Sequence, residues 1–152
     1  MDNTDINESG ELLDPLAEYE QLFRTVFERS DEGIFVSEPD VSGAMIEANQ
    51  AAAEMHGYTI QEFVRLRTSD LHSIESLESA RQGVDRMLEG GWVEVEHEHV
   101  RKDGSKFAVR YRAGVTQYLG RRVIISFVRD ITIEKELEDA LRQCEKELAG
   151  HI

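Results

Sequence analysis

Residues 92–115 read WVEVEHEHVRKDGSKFAVRYRAGV and carry the clearest fold signal in the chain. Apolar and polar residues alternate on both sides of the pair Asp103-Gly104, which is a strong signal for a tight hairpin turn. Alternation of this kind places one face of a strand against a core and the other face in water. The stretch therefore predicts two long antiparallel strands joined by a hairpin.

Two further segments predict the rest of a sheet. After a break at Leu119-Gly120 the chain reads VIISFV, residues 123–128, an unbroken apolar run typical of a strand covered on both faces. We expect this strand to be central. Upstream, GIFVS (residues 33–37) and AMIEA (residues 44–48) flank Ser42-Gly43, and this pattern predicts a second hairpin.

Helical patterns flank and separate these strands. Asp14 followed by Pro15 is a helix-start signal, and the apolar residues after it predict an amphipathic helix over residues 14–30. A longer amphipathic helix is predicted from about Ile74 and ends at Gly90-Gly91. Residues 1–13 are polar, acidic and aperiodic, so we expect a disordered leader.

Short helices are predicted between the second and third strands. Asn49 is a natural N-cap for a helix that would end at His56-Gly57. Thr59 and Glu62 stand at capping-box spacing, which predicts the start of the next helix. Tyr58 and Phe63 occupy the positions of a hydrophobic staple across that start.

The C-terminal segment, residues 132–152, has the pattern of a coiled coil. Its apolar residues step by four, three and four, with Glu and Lys between them: Leu137, Leu141, Cys144 and Leu148. We therefore expect a domain core at residues 31–131, followed by a helix that leads into further chain beyond residue 152.

Composition narrows the function classes. The 152 residues carry a formal charge of −14, which repels phosphate backbones and argues against nucleic-acid binding. No apolar run reaches the length of a membrane span, so we expect no membrane contact by this segment and a cytoplasmic location. The single cysteine, Cys144, cannot form an intrachain disulfide. Arginine outnumbers lysine 13 to 4, which would suit a high-salt cytoplasm and equally an ordinary acidic signalling protein.

Several short motifs, in this order, resemble those of the PAS family over about residues 16–135. They are Asn49-Gln50-Ala51-Ala52 with Gly57-Tyr58-Thr59 and Glu62, Asp70-Leu71-His72, Arg101-Lys102-Asp103-Gly104-Ser105, and Arg129-Asp130-Ile131-Thr132. The resemblance implies an α+β fold, with a five-stranded antiparallel sheet in the order 2-1-5-4-3 and short helices on one face. It also implies a sensory module of a larger signal-transduction protein, for example a two-component system, rather than an enzyme.

The cofactor expectations follow from the resemblance. Haem-binding members of the family carry an axial histidine in the long helix, whereas residues 75–89 contain none and His72 lies just before them. Flavin photoreceptors need a cysteine in the helix that precedes the long one, and Cys144 lies in the exit helix instead. These positions argue against haem and exclude flavin-adduct chemistry, leave a small organic ligand open, and predict a colourless protein.

The histidines are the candidate metal-ligating or catalytic groups of the sequence. His97 and His99 share one face of a predicted strand, where two imidazoles could meet as metal ligands. Two ligands do not fill a coordination sphere, and alternation with Glu96 and Glu98 equally fits a strand with one wet face. His56 is interpreted as a residue favoured at the end of its helix. We therefore predict no metal site and no catalytic residue.

A ligand cavity between the helices and the sheet is the candidate binding site. Its predicted walls are apolar: Ile34, Val36, Ala52, Met55, Phe63, Leu66, Leu71, Val84, Met87, Trp92, Tyr111, Ile125 and Phe127. Asn49, Tyr58 and Ser126 are its candidate polar anchors. The alternative is that the same residues form a closed, dry core.

Signal transmission is predicted at Asp130-Ile131-Thr132, where the central strand meets the exit helix. Thr132 is expected to cap this helix, and Asp130 to act as a hinge held by arginines of the neighbouring strands, Arg110 and Arg112.

The expected partners follow from the two terminal helices and the resemblance. The apolar stripes of the first and last helices predict a homodimer. The expected output is a histidine kinase, a cyclic-dinucleotide enzyme or a transducer in the same chain. A dimerisation and spacer module without ligand is the rival function, and a haem- or flavin-based redox or gas sensor is the weaker one.

Overall fold

The computed structural model describes residues 14–40 and 42–150. Five antiparallel strands form one sheet in the order β2-β1-β5-β4-β3. The strands are β1 (Gly33–Ser37), β2 (Met45–Ala48), β3 (Val93–Val100), β4 (Lys106–Tyr118) and β5 (Arg121–Asp130). The α+β class, the strand order and the central position of β5 are confirmed.

Helices precede, interrupt and follow the strands. They are α1 (Pro15–Arg29), α2 (Gln50–Met55), α3 (Ile60–Phe63), α4 (Leu77–Leu88) and α5 (Thr132–Ala149), with single-turn 3₁₀ helices at Thr68–Leu71 and Ile74–Ser76. The helix predicted from Ile74 therefore begins as a 3₁₀ turn and becomes α-helical at Leu77. The predicted leader, residues 1–13, lies outside the described residues.

The hairpin predicted over residues 92–115 forms in the structure. β3 and β4 pair without a break from Val93 opposite Ala113 to Val100 opposite Lys106. The turn between them needs a residue in the left-handed region, and Gly104 supplies it with φ of 87°.

Side-chain caps begin the helices where the sequence placed them. Asp14 Oδ1 accepts hydrogen bonds from the backbone N–H groups of the first turn of α1, and Asn49 Oδ1 accepts one from Ala52 N at 3.0 Å. Thr59 and Glu62 form the reciprocal capping box of α3. These local bonds fix where α1, α2 and α3 begin, and they explain why the two short segments α2 and α3 become helical without long apolar faces.

The core lies between the helices and one face of the sheet. On that face the side chains of neighbouring strands line up in registered rows, and one such row is Phe35, Ser126 and Ala113. Because successive strand residues point to opposite faces, Val36 and Ile125 lie on the other side of the sheet.

The predicted cavity wall therefore needs a correction. Ile34, Val36, Ile125 and Phe127 belong to the face opposite the core cluster, and Trp92, which is 62% exposed, lies beside Phe127 with ring centroids 6.4 Å apart. The apolar runs of β1 and β5 each contain one polar residue, Ser37 and Ser126, and both are buried on the core face, so the sequence pattern does not show which face is inward.

The first and last helices keep most apolar side chains in water. Among the described residues of α1 only Phe27 is buried, and α5 has no buried residue. The exposed apolar side chains are Leu16, Tyr19, Leu22, Phe23 and Val26 on α1, and Ile133, Leu137, Leu141 and Leu148 on α5. Across residues 14–40 and 42–150, no helix combines the length and the apolar character needed to cross a bilayer.

Candidate functional site

Four histidines meet in the core between β3 and the short helices. His97 and His99 lie two residues apart on β3, so both point to the core face. His56 follows the last residue of α2, and His72 follows the first 3₁₀ turn. We call these four residues the histidine cluster; the sequence had suggested its two strand members as a pair and had placed His56 at a helix end.

The rings of the histidine cluster are in contact. The ring centroids of His72 lie 5.0 Å from His97 and 4.7 Å from His99, and those of His56 and His99 are 5.1 Å apart. Tyr111 stacks on His97 at 5.5 Å. One ring nitrogen from each of His72, His97 and His99 lies within 4.8 Å of the other two. The fold thus places a third imidazole, that of His72, beside the two strand histidines.

A chain of hydrogen bonds fixes the ring orientation of two of these residues. His56 Nδ1 is 2.7 Å from the Ala52 carbonyl oxygen, which can only accept, so this nitrogen carries the proton and donates. In a neutral His56 the Nε2 atom must then accept, and its neighbour at 2.9 Å is His99 Nδ1, which donates. His99 Nε2 is left as an unprotonated acceptor.

Two buried ring nitrogens of the cluster lack a partner. Within the part of the chain that the structure describes, His99 Nε2 and His97 Nδ1 are buried and make no hydrogen bond. His99 is fully buried and His97 is 8% exposed. A buried polar atom without a partner costs about 1 to 3 kcal/mol, so two of them in one cluster mark a place where something else is expected to bind.

The four imidazoles are neutral at neutral pH. Burial lowers the pKa of His56 and of His72 to about 4, and it lowers the pKa of His97 and, well below its usual range, that of His99. The other imidazoles of the cluster add to this effect at His72 and His99, because two neighbouring rings resist becoming charged together. Neutral rings keep their lone pairs available.

A small cavity adjoins the cluster. Its volume is about 20 Å³, and it is lined by His72, His97 and Tyr111 together with Val84 and Met87. That is room for one water molecule, whereas pockets for organic ligands measure about 300 Å³ or more. Three of the predicted wall residues, Val84, Met87 and Tyr111, do line it.

The other predicted wall and anchor residues have packing or bonding roles. Ala52, Phe63 and Leu71 are fully buried in the core, and Met55, Tyr58 and Leu66 pack against it. Ser126 Oγ lies 2.7 Å from the Tyr111 hydroxyl. Asn49 binds backbone groups of α1, β1 and α2 and the loop before β1. The predicted polar anchors Asn49 and Ser126 therefore bond to other groups of this chain rather than to a ligand.

The start of α5 is held by Asp130. Its Oδ1 atom accepts hydrogen bonds from Thr132 N at 2.9 Å and Thr132 Oγ1 at 2.5 Å, and its Oδ2 atom lies 3.3 Å from Arg101 Nη2. Arg101 also donates from Nε to the Met55 carbonyl oxygen at 3.2 Å, and its guanidinium lies 4.0 Å from the centre of the Phe107 ring. Ile131, between the two junction residues, is fully buried.

Two expectations about this junction were wrong. The carboxylate that accepts the backbone bond at the helix start belongs to Asp130, and Thr132 is the first residue of the helix. Asp130 lies opposite Val109 on the neighbouring strand, so both residues are on the core side of the sheet, whereas Arg110 and Arg112 point to the other side. Those arginines pair with Glu96, Glu134 and Glu32 instead.

The profile of one protein family, described as the PAS domain, matches residues 31–132. The chain belongs to the PAS family. Among curated proteins it is 29% identical over 135 residues to a methyl sulfide methyltransferase-associated sensor of Methanosarcina acetivorans, covering 89% of this chain and 13% of that protein. It is 28% identical over 135 residues to the sensor histidine kinase TmoS of Ectopseudomonas mendocina, covering 85% and 14%. This PAS chain thus spans about one seventh of the length of these two relatives.

Solved PAS structures share its fold. A domain of a sensory box sensor histidine kinase/response regulator from Geobacter sulfurreducens has 26% identity and a TM-score of 0.63, with 76% of this chain and 96% of that chain covered. The PAS domain of an HTR-like protein from Haloarcula marismortui has 21% identity and a TM-score of 0.65, with 77% and 95% covered. The module is therefore of the sensory, non-catalytic type that occurs within larger signalling proteins.

Proposed function

We propose that this PAS domain is a sensory input module that passes a conformational change from its core through α5 to an output unit in the same protein. The observation that carries the proposal is the position of Arg101. It contacts Phe107, a core residue whose ring lies against His56 and His99, and it also holds Asp130 at the start of α5. A shift in the core therefore has a short physical route to the exit helix.

The class of output rests on the relatives. TmoS is named as a sensor histidine kinase, and a diguanylate cyclase, DgcM of Escherichia coli, is 27% identical over 104 residues that cover 68% of this chain and 25% of that protein. A kinase or a cyclic-dinucleotide enzyme in the cytoplasm is the output that we propose. The formal charge of −14 supports a module that contacts protein rather than nucleic acid.

A second candidate function is a dimerisation and spacer module without ligand. The observation that favours it is the size of the cavity beside the histidine cluster, about 20 Å³, which has no room for an organic metabolite. The two functions differ in whether the state of the core changes α5, so a coupling measurement separates them.

The coupling can be measured by amide hydrogen exchange in the first turns of α5. Phe107→Leu perturbs the core, and we expect it to speed exchange at residues 132–140 of the otherwise unchanged protein. In an Arg101→Gln background the effect of Phe107→Leu should largely disappear, because the contact between core and junction is gone. The matched control is Lys102→Gln, since Lys102 is the next residue of the same turn but pairs with Glu62.

In the Lys102→Gln background the Phe107→Leu effect should persist in full. An equal change in α5 exchange with and without Arg101 would remove this route and leave the spacer function as the better account.

A further inference from the structure

Ring nitrogens of three histidines lie close together in the core. One ring nitrogen each of His72, His97 and His99 lies within 4.8 Å of the others, and buried nitrogens of His97 and His99 have no partner among the described residues. We infer that His72, His97 and His99 together bind one divalent transition-metal ion of the zinc class. This inference deepens the proposed function by naming the ligand, and it rests on that function only for its sensory role.

The donor set selects the class of ion. Imidazole nitrogen suits Zn²⁺, Cu²⁺, Ni²⁺ and Fe²⁺, whereas Mg²⁺ and Ca²⁺ require oxygen ligands. Three histidines with an open fourth position form a known tetrahedral zinc arrangement. Zn–N bonds of about 2.0 to 2.1 Å place tetrahedral ligand atoms about 3.3 Å apart, so the three nitrogens must close inward from separations of up to 4.8 Å.

The local structure allows that closure. His97 and His99 are fixed on β3, whose backbone is paired along its length with β4. His72 is half-buried in the short connection between two single-turn 3₁₀ helices, and a side-chain contact, to Ser76 Oγ at 3.3 Å, is made by its Nδ1 atom. We expect His72 to make the largest movement when the ion binds.

A supporting shell is already present. Metal-ligating histidines usually donate their second ring N–H to a nearby acceptor, which fixes the tautomer and aims the free lone pair at the ion. His99 donates its Nδ1–H to His56 Nε2, and His56 in turn donates its Nδ1–H to the Ala52 carbonyl oxygen. His56 is therefore a positioning residue in this site, not a ligand.

A small cavity beside the three histidines can hold the fourth ligand of the ion. The cavity of about 20 Å³ is lined by His72, His97 and the Tyr111 ring, and it has room for one water molecule. A single water ligand would complete a four-coordinate ion there. The alternative to a metal ion is a single water molecule in this space that hydrogen-bonds to the unpartnered nitrogens.

Zinc binding by the tag-free chain, measured by competition with a chromophoric chelator, tests the inference. We expect saturable one-to-one binding of Zn²⁺, and Co²⁺ in its place should show the intense visible bands of a tetrahedral site. His97→Gln and His72→Gln should each weaken Zn²⁺ affinity by about 100-fold or more, and His56→Gln by about 10- to 100-fold. Near-ultraviolet circular dichroism of each metal-free variant checks that it is folded.

The matched control is Glu98→Gln, because Glu98 lies between His97 and His99 on β3 but is exposed on the opposite face. Its affinity should stay within about twofold of the unchanged protein, which separates the cluster from the acidic surface. Absence of one-to-one binding would overturn the metal site. So would folded His72→Gln and His97→Gln variants that bind Zn²⁺ as tightly as the unchanged protein. Either result would leave the coupling of Phe107 to α5 through Arg101 standing, so the two proposals fail separately.

Discussion

Arg101 and Asp130 form an ion pair at 3.3 Å although they are 29 residues apart in the chain, one at the start of the β3–β4 turn and the other at the end of β5. Both side chains are about 30% exposed, 28% for Arg101 and 32% for Asp130. A partly exposed pair contributes little to stability, about 0 to 1 kcal/mol. Its importance is the connection that it makes: the Arg101 guanidinium contacts the core ring of Phe107, and Asp130 accepts hydrogen bonds from Thr132, the first residue of α5.

Asp130→Ala should separate folding from transmission. The variant loses this ion pair and the hydrogen bonds to Thr132, so we expect a loss of about 1 kcal/mol and a fall in Tm of about 2 to 4 °C. In the full-length protein the response of the output to its signal should be lost or strongly reduced. Thermal unfolding and output activity together check this, and an unchanged response would make Asp130 a surface residue without a role in signalling.

Asn49→Ala should be among the more damaging single changes. Asn49 is fully buried; its Oδ1 accepts from Ile34 N and Ala52 N, and its Nδ2 donates to the carbonyl oxygens of Phe27 and Glu32. Removing it leaves four backbone groups without partners, and we expect a loss of about 3 to 5 kcal/mol in urea unfolding.

The control for this change is the adjacent exposed residue. Gln50→Ala removes one surface contact, to Glu54, and should cost less than about 0.5 kcal/mol. Similar losses for Asn49→Ala and Gln50→Ala would contradict the structural role of Asn49.

Glu62 should remain ionised in acid. The hydrogen bond from Lys102 Nζ, at 2.6 Å, and the Thr59 backbone N–H lower its pKa from 4.5 to about 2. Because the folded-state pKa is the lower one, the stability that this group contributes is present above pH 4.5 and is lost as pH falls from 4.5 towards 2. The Glu62 carboxyl ¹³C resonance should not titrate down to about pH 3.5.

Lys102→Met should raise the pKa of Glu62 towards its usual value, so that the carboxyl resonance titrates in the accessible range. Lys106→Met is the control, since Lys106 pairs with Glu75 and Glu98 and should leave Glu62 unaffected. Titration of Glu62 near pH 4.5 in the unchanged protein would show that the capping contacts do not hold in solution.

A homodimer through α5 should be detectable by oxidation. Leu137, Leu141 and Leu148 are all more than 60% exposed, and Cys144 stands at a seam position of the same heptad pattern. In a parallel pair of α5 helices the two Cys144 residues face each other, so mild oxidation should cross-link the protein. Sedimentation at micromolar concentration should show the dimer without oxidation.

The position-matched control replaces Cys144 by Ser and Arg142 by Cys. Arg142 is exposed on α5 but lies off the seam, so its cysteine should cross-link much more slowly. Equal cross-linking at both positions, or a monomer by sedimentation, would count against pairing through this face.

The histidine cluster marks the limit of prediction for the site. His97 and His99 were recognised as neighbours on one strand face, because strand periodicity alone relates residues two apart. His56 lies 43 positions from its hydrogen-bond partner His99, and no local pattern links them. Composition gives no such link either, because five histidines in 152 residues do not show which of them meet in the fold.

Elements with a local cause can be predicted from the sequence alone. Asp103-Gly104 and the alternation around it determined the β3–β4 hairpin, and Asn49 and the Thr59–Glu62 pair determined where short helices begin. The folded structure is needed to show which faces of β1 and β5 turn inward, that Asp130 is held by Arg101, and that one ring nitrogen from each of three imidazoles lies within 4.8 Å of the other two. The physical reason is that caps, turns and alternation act over a few residues, whereas strand phase in an apolar run and contacts between distant segments are fixed only when the whole sheet and its helices pack.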